Sequence, residues 1–228
     1  MKIIVCVKQV PDTSGKVAVN PDGTLDRASM QTITNPDDLN AVEAALALKD
    51  ETGCKVVVVT MGPPPAEGML REILARGADE AVLVSGREFG GSDTYATSQI
   101  LAAAINRIGV EPEDIIMCGR QAIDGDTAQV GPQIAEKLGL PQVTYAADIH
   151  KDGDCITVKR MLEDGYMTIK VKTPCLVTCI KELNEPRYMS IGGVFECYDK
   201  PMAVFDYEAL KDDPLIDPTT IGLKDSPT

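Results

Sequence analysis

The sequence KVVVVTM occupies residues 55–61, and GPPP follows it at once at residues 62–65. Four consecutive valines make the first segment a continuous run of β-branched residues, which favours the extended conformation. A strand that is apolar at almost every position has to be buried on both faces, as the strands of a parallel sheet are. Glycine and proline then end the strand and predict a turn. The segment therefore predicts a buried parallel strand in a sheet that helices cover on both faces.

Segments of the same kind lie on both sides of this strand and alternate with helical patterns. Short apolar runs predict further strands at residues 2–7, 81–84 and 114–118. Caps and terminal glycines predict helices from Asn35 to Gly53, over 66–76 before Gly77, over 93–108 with Ser92 as the cap, and from the loop after residue 118 to Gly139. The predicted fold class is therefore α/β, with a parallel sheet and helices on both faces. In the polar stretch before Asn35, Asp22-Gly23 predicts a turn.

Beyond Pro141 the apolar residues change from continuous runs to alternation. Strands with a period of two are predicted at residues 143–149, 155–161 and 166–172. The segments around Gly153 and Gly165 supply the hairpin turns between them. Residues 175–180 form another apolar strand. Together these segments predict an antiparallel extension of the sheet.

The last part of the chain has a different composition. Acids and prolines accumulate over residues 199–228, and no regular element is clear. We expect an extended tail that contacts a partner, and a loosely ordered terminus is the alternative.

The charge of the chain restricts its partners. The 228 residues carry a formal net charge of −13, whereas nucleic acids and anionic membranes attract basic surfaces, so neither is an expected partner. No apolar run approaches the roughly 20 residues that span a bilayer, so no membrane insertion is expected. The start MKIIVCV has no small-residue cleavage site after it, so a cytoplasmic location is expected.

The cysteines and the histidine limit the chemistry that side chains can supply. The seven cysteines are Cys6, Cys54, Cys118, Cys155, Cys175, Cys179 and Cys197. None is in a C-x-x-C pair, and His150, the only histidine, is distant in sequence from Cys175 and Cys179, so no metal site is predicted. The residues supply no defensible catalytic set, no P-loop, and no G-x-G-x-x-G after the first strand. Demanding chemistry therefore has to come from a bound cofactor.

The strongest candidate for a cofactor site is the loop after the strand predicted at 114–118. It reads GRQAIDGDTAQVG at residues 119–131 and opens a helix at the carboxyl end of a parallel strand, where open α/β sheets bind ligands. The N–H groups and the dipole of a helix start favour phosphate. Gly125 allows close approach of the backbone, Thr127 offers a hydroxyl, and Asp124 and Asp126 are expected to point away and cap the helix. An ordinary loop with good caps is the alternative.

Other segments are expected at the same edge of the sheet. They are Val7–Pro11 after the first strand, Thr60–Pro63 after the second, and the helix start at Asn35. Loops that converge on one crevice favour a nucleotide site more strongly than any single loop does. Residues 1–198 are therefore expected to form a single α/β nucleotide-binding domain.

Five motifs, in order along the chain, resemble the beta subunits of electron transfer flavoproteins. They are VCVKQVPD at residues 5–12, NPDD at 35–38, GAD at 77–79, the 119–131 loop and LNEPRY at 183–188. The resemblance covers nearly the whole chain. It implies a Rossmann-like fold of the adenine-nucleotide α-hydrolase-like type and a heterodimer with an electron transfer flavoprotein alpha subunit that carries an FAD. It also implies that the crevice of this chain holds AMP or the adenosine end of a second FAD.

The resemblance also implies roles for particular residues. By the matching motifs, cofactor contacts are expected from Cys6, Val7, Lys8, Asn35, Pro36, Asp37, Asp38, Met61, Gly119, Arg120, Gln121, Ala122, Asp124, Gly125, Asp126, Thr127, Ala128, Gln129 and Val130. Partner contacts are expected in a recognition loop at about residues 181–195, from Leu183, Asn184, Glu185, Pro186, Arg187 and Tyr188. In this loop an exposed Leu183 would anchor on a dehydrogenase, and a leucine that folds back on the local surface is the alternative. Family members continue past Thr228 into an arm that crosses to the alpha subunit.

Two kinds of family member differ in what this crevice holds. Housekeeping members hold AMP and relay electrons, whereas bifurcating members hold FAD, oxidise NADH and divide the electrons between ferredoxin and a high-potential acceptor. The run DGDTAQVGP at residues 124–132 is similar to the bifurcating pattern, because Gly125 and Thr127 leave room and donors for a diphosphate. We therefore expect FAD here, with NADH as donor and with ferredoxin and an acyl-CoA or hydroxyacid flavin dehydrogenase as partners. A nucleotide sensor of the universal-stress type is the alternative from another class, although a sensor needs neither the antiparallel extension nor the Leu183 loop.

Overall fold

The computed structural model describes residues 1–12 and 31–222. In chain order, its strands are β1 (Lys2–Cys6), β2 (Gln9–Pro11), β3 (Thr32–Thr34), β4 (Lys55–Met61), β5 (Glu80–Val84), β6 (Ile115–Gly119), β7 (Gln142–Asp152), β8 (Cys155–Met161), β9 (Tyr166–Lys172), β10 (Cys175–Cys179) and β11 (Met202–Phe205). Its α-helices are α1 (Pro36–Thr52), α2 (Glu67–Arg76), α3 (Thr94–Ile108), α4 (Val130–Leu138), α5 (Ile191–Glu196) and α6 (Tyr207–Leu210).

Nine of these strands form one sheet, in the order β11-β5-β4-β1-β6-β10-β7-β8-β9. All neighbours from β11 to β7 are parallel, and the pairs β7–β8 and β8–β9 are antiparallel. Strands β2 and β3 form a separate small antiparallel sheet. The predicted α/β fold, with a largely parallel sheet and an antiparallel extension, is confirmed.

The placement of residues 175–180 in the antiparallel extension was wrong. Strand β10 lies between β6 and β7 and is parallel to both. It is buried at every position, with Leu176 in the core on one face of the sheet and Cys175, Val177 and Cys179 in the core on the other. Burial on both faces suits a central parallel strand.

Two cores lie on the two faces of the sheet. Helices α1 and α2 cover one face, where residues such as Leu46 and Ile73 pack on Val58. Helices α3, α4 and α6 cover the other face, where Ile100 and Ile134 are fully buried. The parallel strands are therefore sandwiched between helix layers, as their continuous apolar sequences require.

Residues 202–222 are not the extended tail that their composition predicted. Strand β11 pairs in parallel with β5 and extends the sheet by one strand. Leu210, Ile216 and Ile221 are buried in the same core as α3. These scattered apolar side chains are buried by contacts that are distant in sequence, which composition does not reveal.

Two other sequence expectations concern local structure. Gly53 ends α1 in the left-handed conformation (φ 71°), as predicted. The Asp22-Gly23 turn lies outside the residues that the structure describes. Within residues 1–12 and 31–222, no helix has both the length and the apolar character of a membrane span.

Candidate functional site

A cavity of about 340 Å³ opens at the carboxyl edge of the sheet, next to the ends of β1, β4 and β6. The chain proceeds from β1 to β4 and β5 on one side and then returns to β6 on the other side of β1. The cavity therefore lies where the strand order reverses, which is the place where open α/β sheets bind ligands. Its volume falls within the range of sites for small molecules and cofactors.

One wall of the cavity is the loop between β6 and α4. Asp126 and Ala128 each have a φ of 52°, in the left-handed region that costs non-glycine residues energy. Left-handed residues in such a loop can turn successive N–H groups toward one concavity, a form that binds anions. Helix α4 then begins at Val130, and the Gln129 side chain does not cap it. This wall is therefore suited to phosphate.

Two glycines in this wall have different surroundings. A Cβ on Gly131 would lie 2.7 Å from Cys118 Sγ and 2.8 Å from Thr178 Cγ2. Helix α4 can therefore approach β6 and β10 this closely only with glycine at that position. A Cβ on Gly125 would meet no heavy atom within 4 Å, so Gly125 faces open space.

The side chain of Asn35 holds part of this loop instead of capping α1. Its Nδ2 donates to the carbonyl oxygen of Gln121 at 2.8 Å, and the N–H of Ile123 donates to its Oδ1 at 3.1 Å. No cap hydrogen bond is made by Asn35, so its predicted role as a side-chain cap was wrong. The side-chain oxygen, which is the group that could cap the helix, accepts from the loop instead.

Asp38 is a buried carboxylate that lines the cavity. Its Oδ1 accepts from the N–H of Gly119 and its Oδ2 from the N–H of Lys8, both at 2.8 Å. Burial raises the pKa of Asp38 to about 7, although these two N–H groups and the Asn35 side chain oppose the rise. A carboxyl group whose pKa lies near neutrality in a cleft is typical of functional sites.

The two acids of the loop do not cap α4, contrary to the prediction. Lys8 Nζ donates to both carboxylate oxygens of Asp124 at 2.8 Å. Gln121 Nε2 donates to Asp126 Oδ1 at 2.6 Å, and Asp126 lines the cavity. Because α4 begins only at Val130, neither acid is at the cap position.

Arg120 places a cation at one end of the cavity. Its Nε lies 3.4 Å from Asp37 Oδ2, and its guanidinium carbon lies 5.8 Å from the centre of the Tyr145 ring. Tyr145 has a φ of 59°, so its backbone is also in the left-handed region. Burial raises the pKa of Asp37, and the charge of Arg120 opposes that rise. The cluster joins the start of α1 to β7 beside the cavity.

Sequence reasoning missed the second wall, which comes from the start of α3. Ser92, Asp93, Thr94, Thr97 and Leu101 line the cavity there. Asp93, rather than Ser92, caps α3 by accepting from the N–H of Ala96 at 2.8 Å. Thr94 Oγ1 donates to Gln129 Oε1 at 3.2 Å and so connects the two walls. The available signal was a second strand–loop–helix segment with Gly90-Gly91-Ser92 at its turn.

Most of the predicted cofactor residues lie around this one cavity. Those that line it are Cys6, Val7, Lys8, Asp38, Met61, Gly119, Arg120, Gln121, Ala122, Gly125, Asp126, Thr127, Ala128, Gln129 and Val130. Asn35, Pro36, Asp37 and Asp124 lie outside the lining. Gly131, the last residue of the predicted 119–131 loop, also lines the cavity, as do Cys118 and Ile134, which were not predicted.

The predicted recognition loop is held against α1 by hydrogen bonds and ion pairs. Arg187 Nε and Nη2 bond Glu43 at 2.9 Å, and Arg187 Nη2 bonds Asp50 at 2.8 Å. Asn184 Nδ2 donates to the carbonyl oxygen of Asn40, and Asn40 Nδ2 donates to that of Asn184. These bonds hold residues 184–187 in a defined position.

Leu183 is less exposed than predicted, and its contact with a partner stays a prediction. It is partly buried and packs against the core under α1. Glu185 is exposed, and Pro186 is half-buried. The exposed apolar side chains come later, at Tyr188 (92%), Ile191 (83%), Phe195 (74%) and Tyr198 (72%).

The fold and the site define an α/β protein with a ligand crevice at the switch point of a parallel sheet. The sequence matches the model of the electron transfer flavoprotein domain over residues 22–202. The acryloyl-CoA reductase electron transfer subunit gamma of Anaerotignum propionicum is 72% identical, with 100% of this chain and 86% of that protein covered. The caffeyl-CoA reductase-Etf complex subunit CarD of Acetobacterium woodii is 54% identical, and the electron transfer flavoprotein subunit beta of Clostridium acetobutylicum is 53% identical, each with 100% of this chain and 85% of the relative covered. The chain belongs to the electron transfer flavoprotein family, as a beta-type subunit.

Proposed function

We propose that this chain is the FAD-binding beta subunit of an electron-bifurcating electron transfer flavoprotein. NADH is the electron donor, and the electrons are divided between ferredoxin and, by way of an alpha-subunit FAD, a partner flavin dehydrogenase. The observation that carries the proposal is the cavity at the switch point, which has the starts of α3 and α4 on its two walls. The names of the acryloyl-CoA and caffeyl-CoA reductase relatives support a dehydrogenase that acts on a CoA ester.

The residues around the cavity fit an adenine dinucleotide. The wall with left-handed Asp126 and Ala128 suits a diphosphate, and Gly125 leaves open space beside it. The volume of about 340 Å³ is near the lower end of the range for ligand sites. The cavity therefore takes the adenosine part, and the remainder of an FAD has to extend beyond it.

The same small volume favours a second candidate function. A beta subunit that holds AMP as a structural nucleotide would fill the enclosed space with a monophosphate and leave electron relay to the alpha subunit. The open space beside Gly125 distinguishes the two candidates. The diphosphate of an FAD would occupy that space, whereas the monophosphate of AMP does not require it.

Bound FAD would supply hydride acceptance and one-electron transfer, and the protein supplies binding, orientation and charge. The thiols of Cys6 and Cys118 line the cavity, and burial raises the pKa of each, of Cys6 to about 12, so both stay neutral. Arg120 supplies positive charge at one end of the cavity. Hydride transfer itself needs no general acid or base, which agrees with the lack of a catalytic set in the sequence.

The predicted recognition loop is the proposed docking site for the dehydrogenase. Leu183 packs inward, so we assign the anchoring contact to the exposed apolar residues Tyr188, Ile191 and Phe195 that follow it. Large apolar side chains that become buried in a partner's pocket are typical hot spots. The bonds of Arg187 to Glu43 and Asp50 reduce the entropy that docking would cost.

A cofactor count tests the proposed function. The chain is purified together with its alpha subunit, and the released nucleotides are quantified by absorbance and chromatography. We expect an FAD for each subunit and bleaching of the flavin colour by NADH. One FAD and one AMP for each heterodimer would favour the relay function instead. A colourless homodimer that binds ATP would favour a nucleotide sensor.

A further inference from the structure

We infer that Asp38 and Asn35 form a bracket that positions the cofactor loops through hydrogen bonds to their main chain. The bracket consists of these two side chains at the start of α1 and the main-chain groups that they bind. This inference rests on the proposed function, because it concerns the same crevice. It adds a positioning role for two residues that the family motif NPDD suggested as ligand contacts.

Each carboxylate oxygen of Asp38 accepts a hydrogen bond from the main chain. Gly119 is the last residue of β6 and Lys8 follows β1, so these N–H groups lie at the bases of the loops after two adjacent strands at the switch point. Asp38 therefore ties the two loops to each other across the floor of the cavity. An asparagine would turn an N–H₂ group toward one of these N–H donors, so one of the two bonds would be lost.

The close approach of Asp38 to β6 requires a glycine at position 119. A Cβ on Gly119 would lie 2.5 Å from Asp38 Oδ1 and 2.7 Å from the backbone carbon of Asp37. Asn35 extends the bracket to the next part of the loop through Gln121 and Ile123. The cofactor loop is thus held at residues 119, 121 and 123, immediately before the wall that suits phosphate.

Keeping a carboxylate at this depth opposes folding, since a buried charge loses its hydration. The charge of Asp37 adds to the unfavourable environment of an ionised Asp38. An apolar residue would avoid this cost but could not accept two main-chain N–H groups. The carboxylate at position 38 is therefore explained by the geometry of the cofactor site and not by the stability of the core.

Asp114 provides a matched control at the opposite edge of the sheet. It is also buried, and its two oxygens accept from the N–H groups of Lys2 and Glu111 at 2.7 and 2.8 Å. It precedes β6, whereas Asp38 binds the residue at the end of β6. Asp38→Asn and Asp114→Asn therefore both remove a carboxylate that accepts two main-chain N–H groups, and only the first adjoins the cavity. Asp114→Asn also loses the ion pair with Lys2 Nζ at 2.7 Å, so it is the more severe control for stability.

The test measures the affinities for FAD and for AMP by titration of the purified protein, after its bound nucleotides have been removed. Any subunit that co-purifies with the chain is kept, and each variant is compared with the wild type. Asp38→Asn should weaken binding about tenfold to a hundredfold, the range for one lost hydrogen bond to a charged group, and should change the visible circular dichroism of bound flavin. Asp114→Asn should lower the unfolding temperature but change neither readout.

Four outcomes overturn the inference. Equal affinity and an unchanged dichroism spectrum in Asp38→Asn would contradict the positioning role. An equal loss of affinity in Asp114→Asn would reduce the effect to general destabilisation. A wild-type protein that binds neither FAD nor AMP would refute the proposed function itself. Asn35→Ala separates positioning from direct contact, because Asn35 lies outside the cavity lining, and it should also weaken binding. Asn40→Ala, at a residue that holds the recognition loop instead, is its control and should not. Unchanged affinity in Asn35→Ala would likewise contradict the positioning role.

Discussion

Alanine substitutions at Gly125 and Gly131 separate the ligand site from the fold. The Cβ of Gly131→Ala would enter within 2.8 Å of two buried side chains, so the start of α4 has to move away from the sheet. Overpacking of this kind costs about 1–3 kcal/mol. In a protein of this size each kcal/mol lowers the unfolding temperature by roughly 2–4 °C. Gly125→Ala meets no protein atom and should change the free energy of unfolding by less than about 0.5 kcal/mol.

The effect of Gly125→Ala on FAD affinity should be larger than its effect on stability. Gly125→Ala fills the open space that we assign to the diphosphate, so FAD affinity should fall about tenfold, or about 1.4 kcal/mol, without loss of stability. Thermal unfolding of the cofactor-free protein and FAD titration measure the two quantities. Gly165→Ala, in a hairpin turn with equally open surroundings, is the control and should change neither. Normal FAD affinity in Gly125→Ala, or a wild-type unfolding temperature in Gly131→Ala, would refute the reasoning.

Three further predictions concern the hydroxyl of Thr127 and the recognition loop. Thr127→Val should weaken FAD binding by about 1–3 kcal/mol if its hydroxyl bonds a charged diphosphate, and unchanged FAD retention would exclude that bond. Arg187→Met should lose its bonds to Glu43 and increase hydrogen exchange in residues 184–193, while the flavin content stays normal; unchanged exchange would contradict the clamp. Ile191→Ala should slow electron delivery to the dehydrogenase more than Leu183→Ala does in stopped-flow assays, and the reverse order would restore Leu183 as the anchor.

Strand β4 shows how much of this fold the sequence can predict. Its four valines, bounded by Gly53 on one side and Gly62-Pro63 on the other, gave the observed limits Lys55–Met61. Continuous β-branched runs have one favourable environment, between two helix layers. The largely parallel sheet could be inferred for the same reason.

Strand β11 and the 206–222 segment show what the sequence does not contain. Their burial depends on pairing with β5, which lies about 120 residues earlier in the chain. Acidic and proline-rich composition favours an extended segment locally, and here the long-range contacts of Leu210 and Ile221 outweigh it. The position of β10 was missed for a similar reason, because an apolar run does not specify its neighbours.

The candidate site was predictable where main-chain geometry defines it and less so where side chains do. The loop at 119–131 could be placed from its position between a strand and a helix. The hydrogen-bond partners of Asn35 could not be predicted. An asparagine before a helix gives the same sequence signal whether its side chain caps the helix or bonds a loop that is distant in the sequence. The wall at Ser92–Thr97 was missed, since serine and threonine at a helix start are common in any protein.

The central claim is that main-chain groups of the loop before α4 hold the phosphates of a dinucleotide. A crystal structure of the purified heterodimer with its bound cofactor tests it most directly. We predict that an FAD occupies the cavity, with its diphosphate in hydrogen-bond contact with N–H groups of residues 125–131. A diphosphate bound elsewhere, or a mononucleotide alone in the cavity, would contradict the claim.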